Sequence, residues 1–589
     1  MKILKSIIAL FIIMLIISCS STKKESEVNI KIIETTDIHG SIFPFDFIGN
    51  KEQNNSLAQV YTYVKIQRND SSQEVLLIDN GDILQGQPVV YYSNFENTNS
   101  EHICASVMNY MKYDAGTVGN HDIEAGHDVY DKLIKEFKHP WLAANAINIK
   151  TKEPYFKPYT IIERKGVKIA VIGLITPAIP KWLPENIWEG IEFEDMVVSA
   201  KKWMKIVKEK EKPDLIIGLF HAGVDYEYNN ETDTTNKNEN ASVLVAKKVP
   251  GFDIIFTGHD HKEYNFTVKS DDSSEVLILD PRSHARFVAV ADVNFKWNTE
   301  TKSYDKKILG SIVSSSDYKA DSSFMTIFND FYNEVKSYVN RKISYINSEI
   351  STRNSYFGDS EFIDLIHNMQ LEKSGAEISF ASPLNFDTKI QKGDIIVSDM
   401  FKLYKYENLL YTMELSGKEI KNYLEFSYDY WVNTMKSAED NIIKLKKTEN
   451  GGLALITPYY NFSSAEGINY TVDVTKEKGE RINISSRTNG EKFDLDKMYK
   501  VAINSYRGNG GGNHLTEGAK ITKEELNSRI LKSTDKDLRY YLMKWIEEQD
   551  TIYPVKNNNW KFIPKKLVEK AKKRDYELLF NENKLTYKP

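Results

Sequence analysis

From residue 29 to about residue 315 the chain predicts an α/β layered fold, on three observations. Short β-rich apolar runs recur, the clearest being VNIKIIETT, EVLLIDN, VKIAVIGLIT, DLIIGLF and FDIIFTG. Longer stretches with helical apolar spacing separate them, and strands alternating with helices build a layered sheet. Polar, ligand-type residues follow the apolar runs, so they collect at the carboxyl ends of the strands, which in open α/β sheets share one edge.

The first residues are of another kind. Lys2 and Lys5 precede Ile7 to Ile17, eleven apolar residues in a row. A membrane-crossing helix needs about 20 residues, so this run suits the hydrophobic region of an export signal. Ser18 and Cys19 follow, then the polar SSTKKESE. This pattern resembles a bacterial lipobox, which makes residues 1–18 a lipoprotein signal peptide, Cys19 the lipidated residue and 19–28 a polar tether. A plain signal peptide with an incidental cysteine is the alternative. Both readings export the chain, to the periplasm or the cell surface, and the lipobox anchors it to a membrane.

Cys104 is the one cysteine beyond Cys19. The mature chain therefore forms no intramolecular disulfide and no thiolate metal site. At 589 residues, 41% of them apolar, it is long enough for two to four globular domains. The formal charge of −6 is spread along the chain, and the basic KKLVEKAKKRDYE at 565–577 reads as a solvated helix face. No basic groove, and so no nucleic-acid partner, is expected; the chain is expected to be a monomer.

ETDTTNKNENAS, residues 231–242, reads as a polar surface loop with nothing catalytic in it. SSSDYKADSS looks like a domain boundary, and the helical spacing of DSSFMTIFNDFYNEVKSYVN at 321–340 predicts a helix joining two domains. The expected division is 29–315 catalytic, 316–346 linker helix, 347–550 substrate-binding and 551–589 C-terminal extension.

Five strand ends carry the chemistry. ETTDIHG supplies Asp37 and His39; IDNGD supplies Asp82; VGNHD supplies Asn120, His121 and Asp122; LFHAG supplies His221; TGHDH supplies His259 and His261. Singly, each has an ordinary explanation as a turn, a helix cap or a satisfied histidine. Together, in order and each behind a strand, they point to a site for two divalent cations. Imidazole, carboxylate and carboxamide donors without sulfur suit Zn, Mn or Fe. Asp82 is the natural bridge, since one carboxylate can serve two ions about 3.5–4 Å apart.

This ordered set resembles the calcineurin-like metallophosphoesterases. More narrowly, residues 29–550 resemble the bacterial 5′-nucleotidase and 2′,3′-cyclic-nucleotide 2′-phosphodiesterase family. The resemblance implies a four-layered αββα metallophosphatase domain and a C-terminal α/β nucleotide-binding domain joined by a helix. It places Asp37, His39, Asp82 and His261 on one ion, and Asp82, Asn120, His221 and His259 on the other. His121 would stabilise the transition state or assist the leaving group, held by an acid three positions on. That acid is Glu124 here, where the family more often has aspartate, and Asp122 is the competing partner.

In the second domain the resemblance implies that Tyr406 and Tyr506 sandwich a nucleobase, with Asn408 at its edge. Arg507 is a candidate for phosphate or ribose, or else an exposed loop arginine. His284 and His514 stay unassigned. FASPLNFDTKIQKGD holds no arginine where simple 5′-nucleotidases grip a 5′-phosphate. The expectation is therefore hydrolysis of ribonucleoside 2′,3′-cyclic phosphates and 3′-phosphates. A 5′-nucleotidase or UDP-sugar hydrolase is the enzymatic alternative, and a nucleotide-capturing lipoprotein without turnover is the alternative of another class.

Overall fold

The structure is a computed structural model that describes residues 25–224, 232, 235–448 and 452–580. Cys19 and residues 1–18, expected to be a signal peptide, lie outside the described residues. Among the described residues no helix is long and apolar enough to cross a membrane.

The first half is built on two six-stranded sheets. One runs, edge to edge, Ser303–Ser314, Phe287–Asn298, Glu27–Thr35, Glu74–Asp79, Ala115–Thr117 and Trp141–Leu142. The other runs Glu263–Lys269, Glu275–Pro281, Ile254–Thr257, Leu215–His221, Val167–Ile175 and Tyr159–Arg164. Strand side chains alternate between faces. Val28, Ile30 and Ile32 accordingly pack inward against Ile169, Val171, Leu215 and Ile217 of the facing sheet. Ile33, Val75 and Leu77 point outward onto helices that contribute Val60, Val64, Val107 and Leu133. Ile172 and Ile216 point outward on the other side, onto Ala200, Met204 and Leu244. The result is the four-layered αββα sandwich, held by apolar side chains that each contribute roughly 1.5–3 kcal/mol when fully buried.

The second half centres on a five-stranded sheet ordered Ser464–Glu466, Ile378–Ala381, Met498–Asn504, Leu409–Ser416 and Ile530–Asp537. The helices Glu361–Ser374 and Gly417–Trp431 bury Ile366 and Tyr423 beside it. Two expectations change here. The joining segment is two helices, Ser322–Ile327 and Asn329–Val339, because Phe328 leaves helical geometry at φ −98°, ψ 11°; no proline or glycine marks the break. The described part of the C-terminal segment is built into the fold. Trp560–Ile563 pairs parallel with Ile468–Asp473, and Lys565–Phe580 sinks Val568, Ala571 and Leu579 into the second core.

The halves meet directly. Tyr91 of the first inserts into an apolar cluster of the second, and its hydroxyl donates to Asp537 at 3.2 Å.

Candidate dimetal centre

The parallel strands Glu27–Thr35, Glu74–Asp79 and Ala115–Thr117 end on the same edge of the sandwich as Leu215–His221 and Ile254–Thr257. The loops there turn so sharply that Asp37, His39, Asp82, His259, His261 and His284 all adopt positive φ, from 47° to 76°. Left-handed backbone at non-glycine residues costs on the order of 1–3 kcal/mol each and gathers where function over-determines the chain. Gly119 has no room for a side chain: a Cβ there would collide with the Asp82 carboxylate.

Two donor groups result, Asp37–His39–His261 and Asp82–His221–His259, each with its candidate ligand atoms within 4.8 Å of one another. His261 Nε2 lies 3.1 Å from Asp37 Oδ1 and 3.0 Å from His39 Nε2. His221 Nε2 lies 3.2 Å from Asp82 Oδ2 and 3.2 Å from Asn120 Oδ1. The outer nitrogens are engaged as well: His39 Nδ1 donates to Gln85 O at 3.1 Å and His221 Nδ1 to Asn80 O at 2.6 Å. With Nδ1 engaged outward, Nε2 is the nitrogen of each ring that faces the centre, the arrangement usual for metal-binding histidines. Imidazole nitrogens and carboxylates converging without sulfur fit divalent ions of the Zn or Mn type.

The electrostatics are those of a buried, charge-compensated centre. Burial acts to raise the Asp37 carboxyl, but the His261 charge holds it well below the usual range. Asp82 is likewise held low against burial, by His221 first and His121 next, and His39 also acts on it. Burial and then the His261 charge depress His39 to about 3. At His221 burial is outweighed by Asp82, and the ring is pushed up to about 10.

His121 Nδ1 hydrogen-bonds the buried Glu124 carboxylate, and its ring lies 5.5 Å from that of His39. Asp122 is engaged elsewhere. Its carboxylate accepts from the backbone N–H groups of Gly119, Asp82, Ile83 and Leu84 at 2.7–3.2 Å, tying together two of the loops that carry ligand-type residues.

From the second half, Tyr406 and Tyr506 are half-buried, and the Tyr406 phenol is within electrostatic reach of Tyr506 and of Glu124. Asn408 is buried, its carbonyl accepting from Leu538 N. Arg507 requires a correction. It is 3% exposed, and its terminal nitrogens donate to Asn461 Oδ1, Gly511 O and Tyr460 O. It braces the glycine loop from inside, with its guanidinium committed to these three protein acceptors rather than exposed on a loop. His514 is also internal, bonded to Gly512 O and Asn461 O.

Three neighbours of the centre were not assigned from sequence. Glu239, within the stretch read as a polar surface loop, is 8% exposed and places Oε1 3.4 Å from His259 Nε2; that expectation is overturned because Asn238, Glu239 and Asn240 fold inward. Trp182 stacks on His259 at 5.5 Å between ring centroids and 28° between planes. His284 lies 5.3 Å from the His39 ring. The one signal for Glu239 was a lone carboxylate just before an apolar helix start; Trp182 follows a proline-framed turn with no chemical signature.

A sandwich of this kind, with two donor groups on one edge that could each hold a cation, is consistent with a metal-dependent phosphoric ester hydrolase, and the family comparisons show that class. Residues 30–263 match the calcineurin-like phosphoesterase family and residues 334–517 the 5′-nucleotidase C-terminal domain. The chain belongs to the calcineurin-like phosphoesterases that carry this second domain. It is 27% identical over 605 residues to the trifunctional nucleotide phosphoesterase YfkN of Bacillus subtilis, covering 91% of this chain and 39% of that protein. It is 24% identical over 605 residues to the 2′,3′-cyclic-nucleotide 2′-phosphodiesterase/3′-nucleotidase of Salmonella typhimurium, covering 91% and 89%. A Staphylococcus aureus protein crystallised with α-ketoglutarate shares the fold at a TM-score of 0.74 and 20% identity, over 91% of this chain and 99% of that one.

Proposed function

We propose that the chain hydrolyses ribonucleoside 2′,3′-cyclic phosphates and 3′-phosphates to nucleoside and phosphate, as an exported lipoprotein anchored through Cys19. The observation that supports the reading is that Tyr406 lies within reach of the Glu124 charge and Tyr506 within reach of the Glu239 charge, both acids being partners of histidines at the centre. A base held between the rings, each worth about 1–3 kcal/mol in stacking, brings its ribose phosphate to the centre. The arginine-free segment 380–394 favours the 2′,3′ ester over the 5′ ester. The names of the Salmonella, Yersinia and Haemophilus relatives support the same choice.

Asp37, His39, Asp82 and His261 would hold one ion, and Asp82, Asn120, His221 and His259 the other, both Zn or Mn. Such a pair lowers the pKa of water and offsets charge on phosphoryl oxygens. The chain's own residues do the rest. Glu124 orients His121 through Nδ1, which leaves Nε2 to donate to the leaving oxygen, and the tyrosines fix the base. Phosphate release from 2′,3′-cyclic AMP, 3′-AMP, AMP and UDP-glucose, with and without chelator, tests the proposal. Chelator-sensitive release that is fastest from the first two supports it. Preference for AMP or UDP-glucose, or binding without release, rejects it.

A further inference from the structure

His259 is held differently from the two buried histidines His39 and His221, one from each donor group. His39 and His221 each give Nδ1 to a backbone carbonyl and keep Nε2 for the centre. At His259 it is Nε2 that is engaged, by Glu239 Oε1 at 3.4 Å, and Glu239 is not itself a member of the donor group. Nδ1 is then the nitrogen left for the ion. One face of the same ring is covered by the indole of Trp182.

Both neighbours are themselves secured. The Glu239 carbonyl accepts from Thr176 Oγ1 at 2.9 Å, and the next residue, Asn240, accepts from Gly223 N at 3.0 Å, two positions beyond His221. The Trp182 carbonyl accepts from Asn509 Nδ2 at 3.4 Å, and Asn509 belongs to the second domain's loop that begins at Tyr506. Tyr506 in turn experiences the Glu239 charge. The ring orientation of one candidate ligand is thus tied, through Glu239 on one side and Trp182 on another, to the loop proposed to bind the base.

We propose that Glu239 is a positioning residue for His259. It fixes the tautomer that presents Nδ1 to the second ion, with Trp182 as the wall that keeps the ring from turning. This rests on the two-ion reading of the centre and is independent of which ester is cleaved. Carboxylates that hold the outer nitrogen of a ligating histidine commonly govern metal affinity by about 10- to 100-fold.

The test uses the full mature chain, stripped of metal and titrated with Mn²⁺ or Zn²⁺, with bound metal measured by elemental analysis. The wild type should take up two ions. Glu239→Gln preserves the side chain's size but not its charge; it should weaken one of the two by about 10- to 100-fold and leave the other unchanged. Trp182→Ala should weaken the same ion, and Trp182→Phe, which keeps an aromatic wall, should restore it. The chain has eight tryptophans. The wild-type minus Trp182→Phe difference in emission should therefore change as the weaker ion binds. Glu239→Gln binding both ions with wild-type affinity would overturn the proposal. So would a lower melting temperature for metal-free Glu239→Gln than for the metal-free wild type, which would assign Glu239 to loop folding. A wild type binding fewer than two ions would instead overturn the two-ion reading.

Discussion

Replacing Asp122 with asparagine isolates what ties two of the ligand-bearing loops together. The wild-type carboxylate is wholly buried and receives four backbone N–H groups, two on each oxygen. The amide keeps one acceptor oxygen and turns an NH₂ toward the other two donors, so two buried N–H groups lose their partner. Each unsatisfied buried donor costs about 1–3 kcal/mol, which puts the loss at about 2–6 kcal/mol. Burial and the nearby Asp82 charge push the Asp122 carboxyl up to about 7, which weakens the ionised form's advantage and favours the lower half of that range. The orphaned pair would be Asp82 N with Gly119 N or Ile83 N with Leu84 N, according to which oxygen the amide nitrogen replaces, and either pair lies at or directly beside Asp82, whose φ is 56°. Asp122→Asn should therefore lose both stability in urea unfolding of the metal-free protein and affinity for metal in titration. Wild-type stability together with wild-type metal affinity would refute the reasoning.

Three further outcomes are expected. His121→Ala should lower kcat by about 10²–10⁴-fold, the usual contribution of a general acid, while bound metal measured on the same sample stays at the wild-type level; near-normal turnover would remove His121 from the chemistry. Tyr406→Ala should raise KM for the nucleotide far more than for a small aryl phosphate, and equal losses on both would make the ring structural. Burial first, then the hydrogen bond and charge of Asp359, push Asp364 up to about 9. The folded state thus holds a proton that the unfolded state releases near pH 4, so stability falls as pH rises from there to about 9. Asp364→Asn should flatten that fall in unfolding midpoints across the range, and an unchanged slope would count against the raised value.

What the sequence made legible follows from range and direction. Asp37, Asp82, His221 and His259 could be found because each stands just behind an apolar run, and parallel strands deliver their ends to one edge. The layers were legible for the same reason, through alternating apolar faces. Glu239 was hidden because it lies near the end of a polar run and no strand directly precedes it; only the fold, which turns Asn238 to Asn240 inward, sets it beside His259. Asp122 was ambiguous because its four donors include residues some 40 positions away. Trp560–Ile563 was read as part of an extension because its partner strand lies about 90 residues upstream, a pairing that no local pattern announces. Arg507 looked exposed because a glycine-rich run follows it, whereas its guanidinium donates inward to Gly511 O, Tyr460 O and Asn461 Oδ1.

The most direct measurement is anomalous diffraction from crystals of the chain loaded with Mn²⁺ or Zn²⁺. Two peaks about 3.5–4 Å apart should appear, one against Asp37, His39 and His261 and one against Asn120, His221 and His259, with Asp82 touching both. A single peak, or two peaks that leave Asp82 without a shared contact, would contradict the account.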